Sequence, residues 1–486
     1  MRSSLLFLLV VIVTTFSAQA QQPEVSPTFY MSRFQYFVGE CKDPAIQIDS
    51  ALFFARKLAN DKRRSFLHDL LHNSFALQFF FDFSALPAND ARFNDLKKDT
   101  AELNRSQKRM AINRLLLSRM ASDTCFNLSA TVQDLQYWVK VRELKNDTAQ
   151  LRLLINGFLH REALTPDLYQ NKTGRYAMLI YQAIASNPSL QDVAQQLFFE
   201  TTTRFRNTLD QLDSSNADNK AQMQAAKAWY RYLYAWSNAV QGQRHLTAGD
   251  TQTAGQYLQV AFNYSPDLTD EVSRSGYIYD VVFLTGNSEV TFPYDYLSWL
   301  EKYSGDKQAI LTTLLQITLA NPTYKEKLKT FYNQHFAVTE RFQSYWEKQT
   351  SKTLKPAPSF TLQQLNNTPF SIEAYRGKWV LLDFWGTWCG PCCAEHPALQ
   401  KFYKKTQRSD KLTILTIACR DTEERVRGYL KKKSFTFPVA MADSQVEDIF
   451  AVQSYPTKVL INPAGQYLII PFGINWTTFI EKYCDL

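Results

Sequence analysis

From about residue 30 to residue 345, apolar side chains recur three and four positions apart with polar residues between them. Stretches such as 51–77, 100–120, 131–144 and 178–185 keep that spacing, which gathers the apolar positions on one face of an α-helix. Polar or proline-bearing clusters, residues 213–218 and Asn187-Pro188 among them, end helices rather than turn hairpins. The one strand signal in this region, a weak one, is the run Tyr-Ile-Tyr-Asp-Val-Val-Phe-Leu at 277–284. A large all-α region is expected over 21–349, as one or two subdomains. After residue 349 the pattern changes. Residues 350–358 (TSKTLKPAP) are polar and basic with two prolines and read as a linker. Beyond them, buried-strand runs at 379–385 (WVLLDFW) and 412–418 (LTILTIA) alternate with helical stretches at 392–405 and 422–433. Residues 458–462 and 466–471 flank Pro463-Ala464-Gly465, a hairpin signal. This alternation predicts a small α/β domain over 359–486.

Gly242, Gly249, Ala254, Leu258, Ala261 and Pro266 resemble a tetratricopeptide helix pair, in which small residues let two helices approach closely. No second copy follows at a period of about 34, so an ordinary antiparallel helix pair is the competing reading. A helical scaffold of this length suits the binding of protein segments, and its scattered His and carboxylates form no metal or acid–base constellation.

At the start of the chain, Met1-Arg2 precedes an unbroken apolar run over 5–13, and Ser17-Ala18-Gln19-Ala20 supplies a small-residue cleavage pattern. Residues 1–20 therefore read as a secretory signal peptide, and the apolar run over 5–13 falls short of the ~20 residues that a spanning helix needs. The first cysteine is Cys41, so none stands at the cleavage point to carry a lipid. The mature protein is expected to be exported, soluble and not a lipoprotein, with no membrane span and the periplasm as its compartment.

Composition narrows the classes. At 486 residues and 45% hydrophobic, the chain has ample material for packed cores, which excludes disorder as its main state. Net charge is +8, but no basic run exceeds Lys431-Lys432-Lys433, so the concentrated patch of a nucleic-acid binder is missing. Seven cysteines are too few for a disulfide-stapled scaffold, yet five of them follow residue 388 and three fall within 389–393.

Trp388-Cys389-Gly390-Pro391-Cys392 follows a buried-strand run and opens a helical one. Two intervening residues span one helical turn, which suits a reversible disulfide. The first sulfur then lies at the helix N-terminus, where unpaired N–H groups stabilise a thiolate. Cys389 is expected to be the exposed attacking thiolate and Cys392 the shielded thiol that resolves the mixed disulfide. A zinc site needs a second ligand pair at suitable spacing, which Cys393 and His396 do not supply, so no metal is expected. His396 is expected on the solvent face. Asp383, inside WVLLDFW, should be desolvated, hold a raised pKa and accept the Cys392 proton, unless it is merely a satisfied core carboxylate. Cys393 should point away from the Cys389 sulfur, because a helix turns by ~100° per residue. It is expected to be either a small apolar filler or a third, alternative resolving thiol.

With these residues in view, the region from about residue 357 onward resembles the thioredoxin superfamily, in particular its TlpA-like branch of exported thiol–disulfide oxidoreductases. Asp383 stands six residues before Cys389, at the place of that family's buried carboxylate. Pro397 matches its helix-kinking proline, Tyr455-Pro456-Thr457 its cis-proline loop, and Glu395 the active-site glutamate of the branch. Residues 359–362 with Phe370-Ser371-Ile372 and Gly377-Lys378 resemble the branch's N-terminal hairpin. The resemblance implies a multidomain chain, a large all-α N-terminal region followed by a C-terminal α/β thioredoxin-like domain. It implies catalytic roles for Cys389, Cys392, Asp383 and Glu395, and docking roles for Trp388, Gly390, Pro391, Tyr455 and Pro456. Glu395 as an ordinary solvated helix residue is the alternative. Protein disulfides would be the substrates, and a membrane thiol-electron transporter the donor. No small molecule is needed as a cofactor beyond the Cys389–Cys392 disulfide. The Gly390-Pro391 dipeptide resembles that of reducing thioredoxins and favours reduction over oxidation. A peroxidase would need a P-x-x-x-T-x-x-C loop, which Phe384-Trp385-Gly386-Thr387-Trp388 does not provide. The rival from another class is a helical partner-binding envelope protein whose thioredoxin-like domain is an accessory.

Overall fold

The computed structural model describes residues 26–39, 44–80, 100–144, 147–160, 168–213, 220–267, 270, 276–287, 289–337, 340–452, 454–471 and 473–486. The expected signal segment and Cys41 lie outside these residues. Two compact units divide between Gln136 and Tyr137.

The first unit is helical: α1 (Pro27–Gly39), α2 (Pro44–Ala59), α3 (Ser65–Asp69), α4 (Ala76–Phe80), α5 (Thr100–Ala121) and the start of α6 (Phe126–Leu144), with a π-helical turn, Leu70–Phe75, between α3 and α4. Its core is aromatic and aliphatic, with Phe34, Leu58, Leu70, Phe75, Phe79 and Leu116 buried. Asp123 receives Arg56 at 2.7 Å and accepts the Cys125 N–H, fixing the turn between α5 and α6.

The second unit holds the rest of the helical region and the α/β domain. Its helices are α7 (Thr148–Leu159), α8 (Thr173–Ile184), α9 (Gln191–Asp213), α10 (Lys220–Thr247), α11 (Thr251–Tyr264), α12 (Ile278–Thr285), α13 (Phe292–Trp299), α14 (Lys307–Ala320), α15 (Lys325–His335) and α16 (Phe342–Thr353). Asp147, Asp250 and Asp306 cap α7, α11 and α14 by accepting first-turn N–H groups. Small residues at the α10–α11 contact do what the helix-pair pattern requires. A Cβ on Gly242 would come within 2.8 Å of the Leu258 side chain. The weak strand signal at 277–284 is instead α12. Gly286 at φ 77° ends it, and Asp280 on its inner face pairs with Arg175 of α8 through two contacts of 2.8 and 2.9 Å. Both of those side chains are fully buried.

Residues 350–358 do not form a free connection. Helix α16 runs to Thr353, and Lys355–Pro356 form strand β1 at the sheet edge, where proline is tolerated. The remaining strands are β2 (Thr361–Gln363), β3 (Pro369–Ser371), β4 (Trp379–Trp385), β5 (Leu412–Ala418), β6 (Val439–Met441), β7 (Thr457–Ile461) and β8 (Gln466–Ile469). Six of them make one sheet in the order β1-β8-β7-β4-β5-β6, with β4, β5 and β6 parallel and β7, β8 and β1 antiparallel to their neighbours. The expected N-terminal hairpin is β2–β3. Helices α17 (Gly390–Thr406), α18 (Glu423–Lys433), α19 (Val446–Ile449) and α20 (Trp476–Tyr483) complete the domain.

Alternation along β4 sorts its side chains onto two faces. Val380, Leu382 and Phe384 join Phe360, Phe370 and Phe450 on one side. Leu381 and Trp385 face the other, with Leu399 and Phe402 of α17 and Phe479 of α20. That second core continues without a break into the helical region, through Leu328, Tyr345 and Trp346. Buried Lys325 closes the junction: its Nζ lies 2.8 Å from Asp485 and donates to the carbonyl oxygens of Lys482 and Tyr483. Among the described residues, no helix is long and apolar enough to cross a membrane.

Candidate active site

Strand β4 delivers the chain to Gly386, and the next residues turn into α17. Cys389 is the N-cap residue of that helix, in an extended conformation. Its Sγ accepts the Cys392 N–H at 3.2 Å, and Cys389 and Cys392 form a disulfide with Cα atoms 5.3 Å apart. The N–H that caps the sulfur here is the donor that stabilises a thiolate after reduction. Pro391, in the first turn, needs no backbone partner there. Pro397 sits inside the helix, and its missing N–H leaves the Cys393 carbonyl without the usual donor. Nothing lies within 4 Å of the position a Cβ would take on Gly390, so the backbone between the two cysteines is open to an approaching chain.

Cys389 is less open than expected. In the disulfide it is 5% exposed and Cys392 1%, and both belong to the buried cluster that also holds Leu381, Trp385 and Leu399. The exposed apolar element is Trp388, at 49%. Its indole N–H donates to the Cys419 carbonyl at 3.0 Å, and its ring meets Tyr455 edge-on at 5.1 Å. The ring lies so close over Gly386 that a Cβ there would fall 2.3 Å from Nε1, so glycine is required for this pose. The Tyr455–Pro456 peptide is cis. Tyr455 is held by its hydroxyl, which donates to Glu447, and by the Arg420 guanidinium 5.6 Å over its ring. Of the residues expected to dock substrate, Trp388 thus meets Tyr455, which is joined to Pro456 by the cis peptide.

Asp383 points to the α17 side of the sheet and is 2% exposed. Burial pushes its carboxyl up, and the Lys458 ammonium opposes that shift. Lys458 stands directly across the ladder from Asp383 in the β4–β7 register. Its Nζ lies 3.1 Å from Asp383 Oδ1 as an ion pair and donates a hydrogen bond of 2.5 Å to Glu395 Oε2. The Asp383 contact is primarily electrostatic, since Oδ1 accepts no well-directed hydrogen bond. Lys458 is itself desolvated, yet the two carboxylates keep its ammonium favoured. The two expected acid–base residues are therefore brought together by a lysine that the sequence reading missed. A single lysine opening the apolar run Lys-Val-Leu-Ile, just after the proline loop, was the available signal.

His396 also departs from expectation. It is 1% exposed, not solvent-facing, with its ring edge-on to Trp385 at 4.4 Å and Nδ1 2.8 Å from the Tyr429 hydroxyl. Burial, reinforced by Lys458 and opposed by Glu395, pushes its pKa down to about 4. The unfolded chain then takes up this proton near pH 6.5 and the folded one only near 4, so stability falls as pH drops through that window and levels off below it. A His396→Phe variant should lack this slope. The gap between the two proteins in chemical unfolding should move by about 3 kcal/mol in the variant's favour from pH 7 to pH 4. Comparing the two separates His396 from Asp383, whose raised value acts in the opposite sense.

The remaining described cysteines are free thiols. Cys393 carries a free thiol whose Sγ–H reaches the Thr387 carbonyl at 3.7 Å. Cys419 is buried, and its thiol is pushed up to about 12 by desolvation, with Glu447 adding to it. Cys484 is likewise buried and its thiol strongly raised. Cys125 is a free thiol in the first unit.

Comparison with known proteins places this chemistry. Residues 353–467 match the model of the AhpC/TSA family. The thiol–disulfide oxidoreductase ResA of Bacillus subtilis is 32% identical over 158 residues, which are 32% of this chain and 83% of ResA. The thioredoxin-like protein YneN of the same organism is 31% identical over 149 residues, 30% of this chain and 86% of YneN. A thiol:disulfide interchange protein of the thioredoxin family from Chlorobium tepidum aligns with 27% of this chain and 94% of its own, at 26% identity and a TM-score of 0.25. These matches cover only the C-terminal part and leave the helical region unmatched. Through that C-terminal part, the chain belongs to the thioredoxin-like thiol–disulfide oxidoreductases.

Proposed function

We propose that this protein is exported and reduces disulfide bonds in protein substrates. The observation that carries the reading is the Cys389–Cys392 disulfide at a helix N-terminus, next to the exposed Trp388, whose ring meets Tyr455 of the cis Tyr455–Pro456 peptide. In the reduced protein, the Cys389 thiolate attacks one sulfur of a substrate disulfide and forms a mixed disulfide, releasing the other substrate sulfur. Cys392 then displaces the remaining substrate sulfur and restores the intramolecular disulfide. Trp388, Tyr455 and Pro456 supply an apolar rim for a substrate backbone, and Gly390 and Pro391 leave the approach to Cys389 clear. Asp383 accepts the Cys392 proton and Glu395 carries it onward. No organic cofactor or metal takes part.

Reduction as the direction rests on the Gly390-Pro391 pair, and export on the apolar run and cleavage pattern within residues 1–20. A reductase outside the cytoplasm consumes electrons at each turn, so a membrane thiol-electron transporter is the fitting donor. The helical region shares a core with the catalytic domain, which supports a part for it in selecting the protein substrate. The test is reduction of insulin disulfides by the full chain with dithiothreitol as electron source, read against the cysteine variants considered in the Discussion.

A further inference from the structure

The ladder position of Lys458 carries more than a stabilising contact. Its Nζ sits between two carboxylates from different elements, Asp383 of β4 at 3.1 Å and Glu395 of α17 at 2.5 Å. The three differ in access to water: the side chains of Asp383 and Lys458 are 3% and 6% exposed, that of Glu395 38%. The lysine is clamped by the Trp476 ring of α20, whose centroid lies 5.1 Å from Nζ. The groups bearing on it are therefore Asp383 from β4, Glu395 and His396 from α17, and Trp476 from α20. Burial and Lys458 push the His396 pKa down to about 4, which favours its neutral form at working pH. Cys419, at the end of β5, feels the Asp383 charge but stays a thiol.

We propose that Lys458 is a positioning residue for the resolving step: it holds Asp383 ready to take the Cys392 proton and couples Asp383 to Glu395 as the outlet to solvent. The inference rests on the disulfide-reductase reading above and deepens it. In the step itself, the Cys392 S–H gives its proton to an Asp383 carboxylate oxygen. The Cys392 thiolate attacks Cys389 Sγ. The Cys389–substrate S–S bond breaks as the Cys392–Cys389 bond forms. The departing substrate sulfur keeps the bonding pair and takes a proton from water, so two electrons have passed from the dithiol to the substrate. Asp383 then releases its proton by way of Glu395.

A buried carboxylate with no cation beside it stays protonated to higher pH and is lost as a base in the neutral range. Lys458 counters this, and Glu395 competes with Asp383 for the same ammonium. The two neighbours should therefore move the step in opposite directions. Removing Lys458 carries its acid limb to higher pH, and neutralising Glu395 carries it to lower pH.

The experiment follows the decay of the Cys389 mixed disulfide by acid quench and mass measurement, from pH 5.5 to 9. The probe is insulin, mixed with the reduced full chain. Lys458→Met should shift the acid limb upward by about 1–2 pH units, a loss of about tenfold or more at neutral pH, while the rate recovers at high pH. Lys458→Arg should restore the wild-type limb, which a merely structural role would not require. Glu395→Gln should shift the limb downward, even with a slower plateau. A Lys458→Met limb at the wild-type position overturns the proposal, as does an arginine variant displaced as far as the methionine one. If the methionine variant fails to fold, Glu395→Gln decides, and an unshifted or upward-shifted limb overturns the idea. A wild-type protein that forms no mixed disulfide overturns the reductase reading itself, whereas normal turnover with unmoved limbs overturns only the lysine's role.

Discussion

Cys389→Ser is expected to abolish reduction of insulin disulfides by the full chain, a loss of about a thousandfold or more, since it removes the attacking sulfur of the one disulfide formed among the described residues. Cys392→Ser should fail differently. It keeps the attacking sulfur and loses the resolver, so it should accumulate a mixed disulfide whose mass is this chain plus one insulin chain. Cys393→Ser should leave the rate unchanged, because its Sγ is engaged with the Thr387 carbonyl on the helix surface next to the disulfide. Turnover surviving in Cys392→Ser and lost in Cys392→Ser/Cys393→Ser would reassign the resolving thiol to Cys393.

The second large effect lies far along the chain, in the helical part of the second unit. Arg175→Leu leaves the Asp280 carboxylate in a site of zero exposure without its cation. Breaking a buried pair from one side costs about 3–5 kcal/mol, because the surviving charge can neither reach water nor find a partner. Urea unfolding should show that loss in Arg175→Leu. The double variant Arg175→Met/Asp280→Leu should recover most of it, since two apolar residues remove both charges together. The Arg175 guanidinium also lies 4.6 Å over the Phe283 ring, which a methionine stem can still cover. A double variant as unstable as the single one would mean that the pair holds α8 and α12 by geometry that apolar packing cannot replace.

Much of the catalytic domain was legible because its signals are local. A buried run, then Cys-Gly-Pro-Cys, then a helical pattern, fixes a strand, an N-cap and a helix in that order, and all three stand as β4, Cys389 and α17. The prolines gave the loop at Tyr455-Pro456 and the turn before β8. What escaped depends on partners distant in sequence. The run at 277–284 is short and wholly apolar apart from Asp280, and such runs do not separate strand from buried helix by period. The deciding contact is with Arg175, about a hundred residues earlier. The polarity of His396 points to solvent, although Cys392, His396, Leu399 and Gln400 share one buried helical face at spacings of three and four. Polarity likewise made 350–358 look like a linker, when its backbone is taken up by a helix end and an edge strand. Lys458 could be placed opposite Asp383 only once the β4–β7 register was known. The acid–base site is thus assembled by strand pairing, while the redox motif is written in a single stretch.

On the proposed function, Cys389 and Cys392 are a reversible dithiol that runs in the reducing direction. Its most direct test is the reduction potential of that pair, obtained by equilibrating the full chain in thiol buffers of defined ratio and counting alkylated cysteines by mass. A two-cysteine transition near the thioredoxin value of about −270 mV is expected. A transition near about −120 mV would make the protein a disulfide donor, and no reversible transition at all would leave the helical region as its functional part.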